Sequence, residues 1–249
     1  MTRAALDWLK QPIAHRGLHD ETEGVVENSA SAVEAAIAKG YAIEVDLQCA
    51  KDGLPVVFHD RTLDRLTTEA GLVAARDAAD LCVIPLRDSK DCILSLEGLL
   101  KIVEGRVPLL LEVKSTWGGD PYYEPRIAEI LKPYNGRVAV MSFDPQCIAA
   151  FRRISPSLPR GLISESFADK DYWSELPAGK RFAMRHLLTA AIARPNFIAY
   201  DIRALPALAP AIARSLFGLP LLTWTVRSEA EMLRAPRYAE AMIFERVVP

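Results

Sequence analysis

The sequence predicts a closed (β/α)₈ barrel in a single domain spanning residues 1–249. Three observations lead there. Strand-like apolar runs alternate with helical periodicity along most of the chain, and eight such runs can be counted. A chain of 249 residues with half its positions apolar has the length and the core material that such a barrel needs. The G-x-G-x-x-G turn of an open dinucleotide-binding sheet is absent.

In chain order, the first strand candidate is Gln11–His15, stopped by Arg16-Gly17 and a polar loop to Gly24. A helix follows, capped by Asn28 or Ser29, with Ala32, Val33, Ala36 and Ile37 as its apolar stripe and Lys39-Gly40 as its stop. The second strand, Ala42–Leu47, is apolar except for Glu44 and Asp46. A turn at Lys51-Asp52-Gly53 leads into the third strand, Leu54–Phe58, ending at His59-Asp60. The long mixed segment from Arg61 to Leu94 reads as a functional loop or small insertion. Helical periodicity resumes over Ser95–Val103, before the fourth strand, Val107–Lys114, which is apolar until Glu112 and Lys114. The alternation continues with helix 121–131, strand 137–142, helix 144–154 and a strand near 158–163. Beyond a loop bearing Phe167, Tyr172 and Trp173 come helix 181–191, strand 196–201, helix 206–217, strand 221–226 and a last helix from Ser228.

The balance of 30 basic and 32 acidic residues leaves no whole-molecule field that would favour nucleic acid or an anionic membrane. The N-terminal ten residues lack the apolar core of a signal peptide, and no stretch approaches a membrane span. Cys49, Cys82, Cys92 and Cys147 show no C-x-x-C spacing and suit buried free thiols in a reducing compartment. A cytoplasmic enzyme or binding protein is expected.

Side chains two apart on a strand share a face, so Glu44 and Asp46 crowd one small space, and Glu112 and Lys114 crowd another. Two carboxylates that close raise each other's cost of ionisation, and a cation or a shared proton relieves it. In a barrel, polar residues at strand ends converge on one mouth. His15-Arg16, Glu44, Asp46, His59-Asp60, Glu112 and Lys114 all fall there. Three carboxylates without cysteine suit a hard cation, Mg²⁺ or Ca²⁺, rather than Zn²⁺. Arg16 and Lys114 beside that cation make a phosphate-binding set, and two imidazoles can serve as acid and base near neutral pH.

Residues 12–17, Glu27-Asn28, Glu44-Val-Asp46, Val57-Phe-His59-Asp60 and Leu111-Glu112-Val-Lys114 resemble, in order and spacing, the motifs of the glycerophosphodiester phosphodiesterase family. The likeness runs on through 63–67 and Ser142-Phe143 to Trp224-Thr225-Val226. It implies a TIM barrel with a small insertion after the third strand, matching 61–94. It also implies hydrolysis of a glycerophosphodiester to sn-glycerol 3-phosphate and an alcohol. By position, His15 and His59 would be the acid–base pair, and Glu44, Asp46 and Glu112 would hold one divalent cation. Arg16, Asn28, Lys114 and Trp224 would bind the substrate. The attacking group is water or the substrate's own glycerol hydroxyl. Two stretches depart from the family pattern: Arg227 stands where Asn is usual after Trp-Thr-Val, and residues 242–247 replace a run resembling Ile-Ile-Thr-Asp-Tyr-Pro. Both bear on the alcohol side of the mouth.

Three other readings compete. The pocket can act as a lyase or lysophospholipase D on a lysolipid, with Phe167, Tyr172 and Trp173 as an exposed apolar rim. The barrel can be a non-catalytic phosphate binder. Lys114 at a strand end can form a Schiff base, although Glu112 beside it would keep the amine protonated. The expected partner is a small-molecule phosphodiester, with no nucleic acid and no stable membrane insertion, and a homodimer is left open.

Overall fold

Eight of the ten strands found among the described residues, 3–169 and 171–249, close on one another in the computed structural model. Met1 and Thr2 of the N-terminal stretch lie outside them. In chain order the elements are β1 (Ile13–Ala14), α1 (Ala30–Lys39), β2 (Ala42–Cys49), β3 (Pro55–Val57), α2 (Ala78–Leu81), β4 (Leu94–Ser95), α3 (Leu96–Val103), β5 (Leu109–Val113), α4 (Tyr123–Leu131), β6 (Val138–Ser142), α5 (Pro145–Ile154), β7 (Arg160–Ser164), α6 (Ala178–Arg185), α7 (Ala190–Ala193), β8 (Phe197–Asp201), α8 (Leu208–Ser215), β9 (Leu221–Val226), α9 (Glu229–Arg234) and β10 (Ala241–Phe244). The sheet runs β1-β10-β9-β8-β7-β6-β5-β2 with every neighbouring pair parallel, and the pairing of β1 with β2 closes it.

Alternation along each strand splits the apolar side chains into two cores. Ile13, Ala42, Leu110, Ala139, Phe197 and Ile243 fill the barrel interior, joined by Leu6 and Leu9 from the 3-10 helix Arg3–Lys10. Gly161 belongs to this interior because the Phe197 ring occupies the place of a side chain: a Cβ there would lie 2.1 Å from it. Ile43, Val45, Leu47, Leu109 and Leu111 point outward and pack under the helices.

The barrel class agrees with the sequence, but one stave does not. Leu54–Phe58 is not part of the ring, because β3 pairs antiparallel with β2 through Leu47↔Val57 and Cys49↔Pro55. A tight turn such as Lys51-Asp52-Gly53 can join only antiparallel neighbours; a parallel pair needs a long crossover. The missing stave is β10, short and placed beyond the last helix, which pairs with both β1 and β9. The insertion at 61–94 does follow the third strand of the chain. It carries its own apolar cluster, in which Leu63, Val73, Leu81 and Ile93 pack on Phe58 and Val56.

Smaller differences have local causes. Ser29, not Asn28, caps α1 by accepting from the Ala32 amide at 3.1 Å. The helix expected over 181–191 breaks into α6 and α7 where Leu187 takes φ +55°. Among the described residues no helix is long and apolar enough to cross a membrane.

Candidate active site

The floor of the mouth is built from two adjacent staves. Asp46 on β2 stands directly beside Glu112 on β5 in the ladder, and Glu44 precedes Asp46 by one inward-facing position. Carboxylate oxygens of all three lie within 4.8 Å of one another. Glu44 and Asp46 are fully buried. Oε1 of Glu44 is buried with no hydrogen-bond partner, while Oε2 accepts from the Arg16 amide at 3.0 Å. An unpartnered buried carboxylate oxygen facing two further carboxylates fits a divalent cation with oxygen ligands.

The charges around this floor push its two buried acids apart. Burial, then Asp46 and Glu112, raise the Glu44 carboxyl well above its ordinary range. Burial works the same way on Asp46, but Lys114 and Arg16 outweigh it and hold that carboxylate well below its range. The Lys114 ammonium lies 2.8 Å from Asp46 and 2.5 Å from Glu112, and Arg16 Nε lies 3.2 Å from Asp46. Despite its burial, Lys114 is raised above the ordinary lysine value by those two acids. Such an amine stays protonated, which removes the Schiff-base reading.

Each histidine has a carboxylate behind it. His15, one residue past β1, has Nδ1 2.5 Å from Oε2 of Glu245, and its Nε2 faces Glu44 at 3.9 Å. His59 has Nδ1 2.7 Å from Asp60. A carboxylate can only accept, so both rings donate from Nδ1 and leave Nε2 free toward the mouth, a tautomer assigned from the bonding. Burial lowers the His15 pKa, against the opposing effect of Glu245. His59 does not arrive as the end of a barrel strand. The β2–β3 hairpin rises above the ring and turns back, so that Phe58 N bonds the Asp46 carbonyl at 3.0 Å and His59 drops into the mouth from above.

A further layer of ion pairs ties these groups together. Asp60 pairs with Arg65 at 2.6 Å, Arg65 with Glu27 at 2.8 Å, and Glu27 with Arg16 at 2.7 Å. Arg16 takes φ +56°, and its neighbour Gly17 passes so near α1 that a Cβ would sit 2.8 Å from Ala32. Asn28, expected at the substrate, lies against Asp46. Its amide nitrogen donates to Asp46 at 2.9 Å, its amide oxygen accepts from the Asp46 amide at 3.2 Å, and it is buried. Each polar end makes one hydrogen bond to Asp46.

The cavity above this floor has a volume of about 570 Å³ and is lined by His15, Arg16, His59, Glu112, Lys114 and Trp224, among others. That is the size of a small-molecule site. Trp224 stacks edge-on against Phe143 with centroids 5.6 Å apart, and its buried Nε1 has no partner. The aromatic rim is narrower than expected. Phe167 and Trp173 are buried in a cluster with Leu176 and Met184, and only Tyr172 stands out into solvent.

No motif points to Glu245, which lies one residue past β10 in the stretch 242–247 that departs from the family pattern. Arg227, the other departure, pairs with it through Nε at 2.5 Å. Burial would raise the Glu245 carboxyl, but the hydrogen bond from His15, the His19 ring 3.7 Å away and the contact with Arg227 hold it below the usual range. The two unusual positions thus meet behind one histidine.

The sequence model of the glycerophosphoryl diester phosphodiesterase family matches residues 15–247. A glycerophosphodiester phosphodiesterase of Caldanaerobacter subterraneus subsp. tengcongensis is 30% identical over 169 residues, covering 61% of this chain and 65% of that protein. The match therefore spans just under two thirds of that relative's length. A glycerophosphodiester phosphodiesterase of Bacillus subtilis is 26% identical over 244 residues, covering 89% of this chain and 78% of that protein. Among solved structures, a phosphodiesterase of Oleispira antarctica in complex with its product sn-glycerol-3-phosphate superimposes with a TM-score of 0.79 at 20% identity, over 96% of this chain and 94% of that one. At that identity the likeness speaks for the fold.

Proposed function

The chain belongs to the glycerophosphoryl diester phosphodiesterase family, and from that premise we propose that it hydrolyses a glycerophosphodiester to sn-glycerol 3-phosphate and an alcohol at the mouth of its barrel. The observation that carries this reading is the floor of the mouth, where three carboxylates within 4.8 Å of one another lie beside Arg16, Lys114 and two imidazoles. Lys114 and Arg16 answer the charges of Asp46 and Glu112, but the buried Glu44 Oε1 beside them has no partner, a cost that a bound cation would relieve.

Glu44, Asp46 and Glu112 would hold one Mg²⁺ or Ca²⁺, which would supply Lewis-acid polarisation of the phosphoryl oxygens and a lowered pKa for the attacking hydroxyl. Arg16 and Lys114 take the remaining phosphate charge. His15, kept neutral by burial, accepts the proton of the attacking water at Nε2, and Glu245 stabilises the imidazolium that results. His59, entering the step as imidazolium with Nδ1–H held by Asp60, donates its Nε2 proton to the departing alcohol oxygen. The phosphorus gains one oxygen, loses the alkoxide, and each proton has a stated carrier. Trp224 offers its ring face and its unpartnered Nε1 to the substrate. The four free cysteines support a reducing, cytoplasmic setting.

The test is release of glycerol phosphate from a diester such as glycerophosphocholine, followed by a coupled dehydrogenase, with and without EDTA. Activity that EDTA abolishes and Mg²⁺ or Ca²⁺ restores better than Zn²⁺ supports the reading. Full activity in chelator overturns the metal assignment, and no turnover of any diester with metal present overturns the reaction.

A further inference from the structure

Residues 176–200 carry four basic side chains, Lys180, Arg181, Arg185 and Arg194, and no aspartate or glutamate, in a chain whose net charge is −2. None of the four has an acidic partner among the described residues. Lys180 lies over the Trp117 ring at 4.3 Å, Arg181 donates to the Trp173 carbonyl at 3.1 Å, and Arg185 and Arg194 stand free in solvent. Large apolar side chains are interleaved with them: Phe182, Leu188 and Ile192 are all exposed. These are not core residues left out by poor packing, because Met184 of α6, Leu187 of the link and Ala193 of α7 are already buried on the inner side.

The next rib of the barrel repeats the pattern. α7 leads into β8 and α8 leaves it, so the two helices are neighbours in the outer ring. On α8 and its C-terminal cap, Leu208, Ile212 and Leu216 recur every four residues, which places them in one line. Leu208 is 77% and Leu216 75% exposed, while Pro210 and Ala213 face the core. The two basic residues on this side are already neutralised, Arg203 by Asp201 and Arg214 by Glu240. Uncompensated positive charge thus belongs to α6 and α7, and a row of exposed aliphatic side chains runs beside it.

We propose that this outer face, α6 to α8, rests on a bilayer containing anionic phospholipid. Unpaired basic groups around exposed Phe, Leu and Ile are the chemistry of helices that lie in the membrane interface: the apolar side chains enter the acyl boundary and the cations meet the lipid phosphates. A second copy of the chain is the poorer occupant. A two-fold interface on this face would set the same four cations against themselves with no acid to answer them. The face also adjoins the site, since Arg203 and Ala204, immediately before α8, line the mouth. Docking would bring the mouth to the membrane edge without any spanning segment. This inference stands on the surface alone and does not depend on the reaction proposed above.

The experiment is co-sedimentation of the full chain with vesicles of phosphatidylcholine alone, or of phosphatidylcholine mixed with phosphatidylglycerol, at low and high salt. Binding to the mixed vesicles only, weakened by salt, is expected. Each neutralised arginine should lower the partition coefficient about fivefold, and the R185Q/R194Q pair about 25-fold. Replacing Leu208 and Leu216 by Ser should weaken binding without changing its salt dependence. Both pairs are exposed and outside the mouth, so folding and turnover of a soluble diester should match the wild type. Equal or absent binding to the two vesicle types overturns the proposal. So does a dimer in sedimentation equilibrium that protects Ile192 and Ile212 from labelling as cysteines, which would assign the face to a second copy.

Discussion

Replacing Glu245 should slow the reaction through His15 and through nothing else. The carboxylate sits 2.5 Å from His15 Nδ1, with the two side chains only 8% and 10% exposed, so the bond is charge-assisted and poorly screened whenever the ring is protonated. Hydrogen bonds to charged groups contribute about 1.5–3 kcal/mol. If that contribution is felt only when the imidazole carries its proton in the transition state, its loss corresponds to about 10- to 150-fold in kcat. Glu245→Ala should fall in that range, and Glu245→Gln, which keeps an acceptor but not the charge, should fall less. KM should move little, because the interaction is not one made to bound substrate. Removing Glu245 also removes two influences that raise the His15 pKa, so the acidic limb of kcat/KM should shift to lower pH. The decisive assay is the double variant: in a His15→Ala background, Glu245→Ala should cost nothing more. Additive losses, or a loss carried by KM, would refute the coupling and leave Glu245 as a purely structural contact of Arg227.

Glu44→Gln should raise the melting temperature of the protein in EDTA while abolishing its stabilisation by Mg²⁺ or Ca²⁺. The folded-state pKa of Glu44 lies above its unfolded value, so its contribution to stability is full below about pH 4.3 and is lost as pH rises through the folded value. The advantage of the variant in EDTA should therefore be larger at pH 8 than at pH 5, and an equal advantage at both would count against the sign. Trp224→Phe keeps the apolar face and removes the unpartnered Nε1; KM should rise about two- to tenfold with kcat little changed, and steady-state kinetics on one diester decides it. Burial pushes the Cys49 thiol up to about 11 and raises Cys147 well above its usual value, so at pH 8 the part-exposed Cys49 should react more slowly than a free thiol and the buried Cys147 only after unfolding, as stopped labelling and mass spectrometry would show.

The stave that sequence reasoning missed and the residue it missed are the same piece of chain. β10 is four residues long and has no polar-to-apolar switch of its own, whereas the hairpin strand after Gly53 has a clear apolar run, so counting runs reached eight with one wrong member. The turn length was the legible warning, since Lys51-Asp52-Gly53 leaves no room for a crossover. The floor of the site was legible because it depends on local alternation alone: Glu44 and Asp46, or Glu112 after Leu110, must face inward wherever Ala42 and Leu110 do. The partners of those groups were not legible. Asn28 reaches Asp46 across 18 positions, and Glu245 reaches His15 across 230. No periodicity records which side chain will lie behind another once the ring closes. Even so, Arg227 and Glu245 share one trace in the sequence: both depart from the family pattern, and they pair with each other. A cation introduced beside a buried histidine would depress its basicity unless a carboxylate stood between them, and Glu245 stands there. The two departures are best understood as one change that preserves the electrostatics of His15 while reshaping the wall next to Trp224.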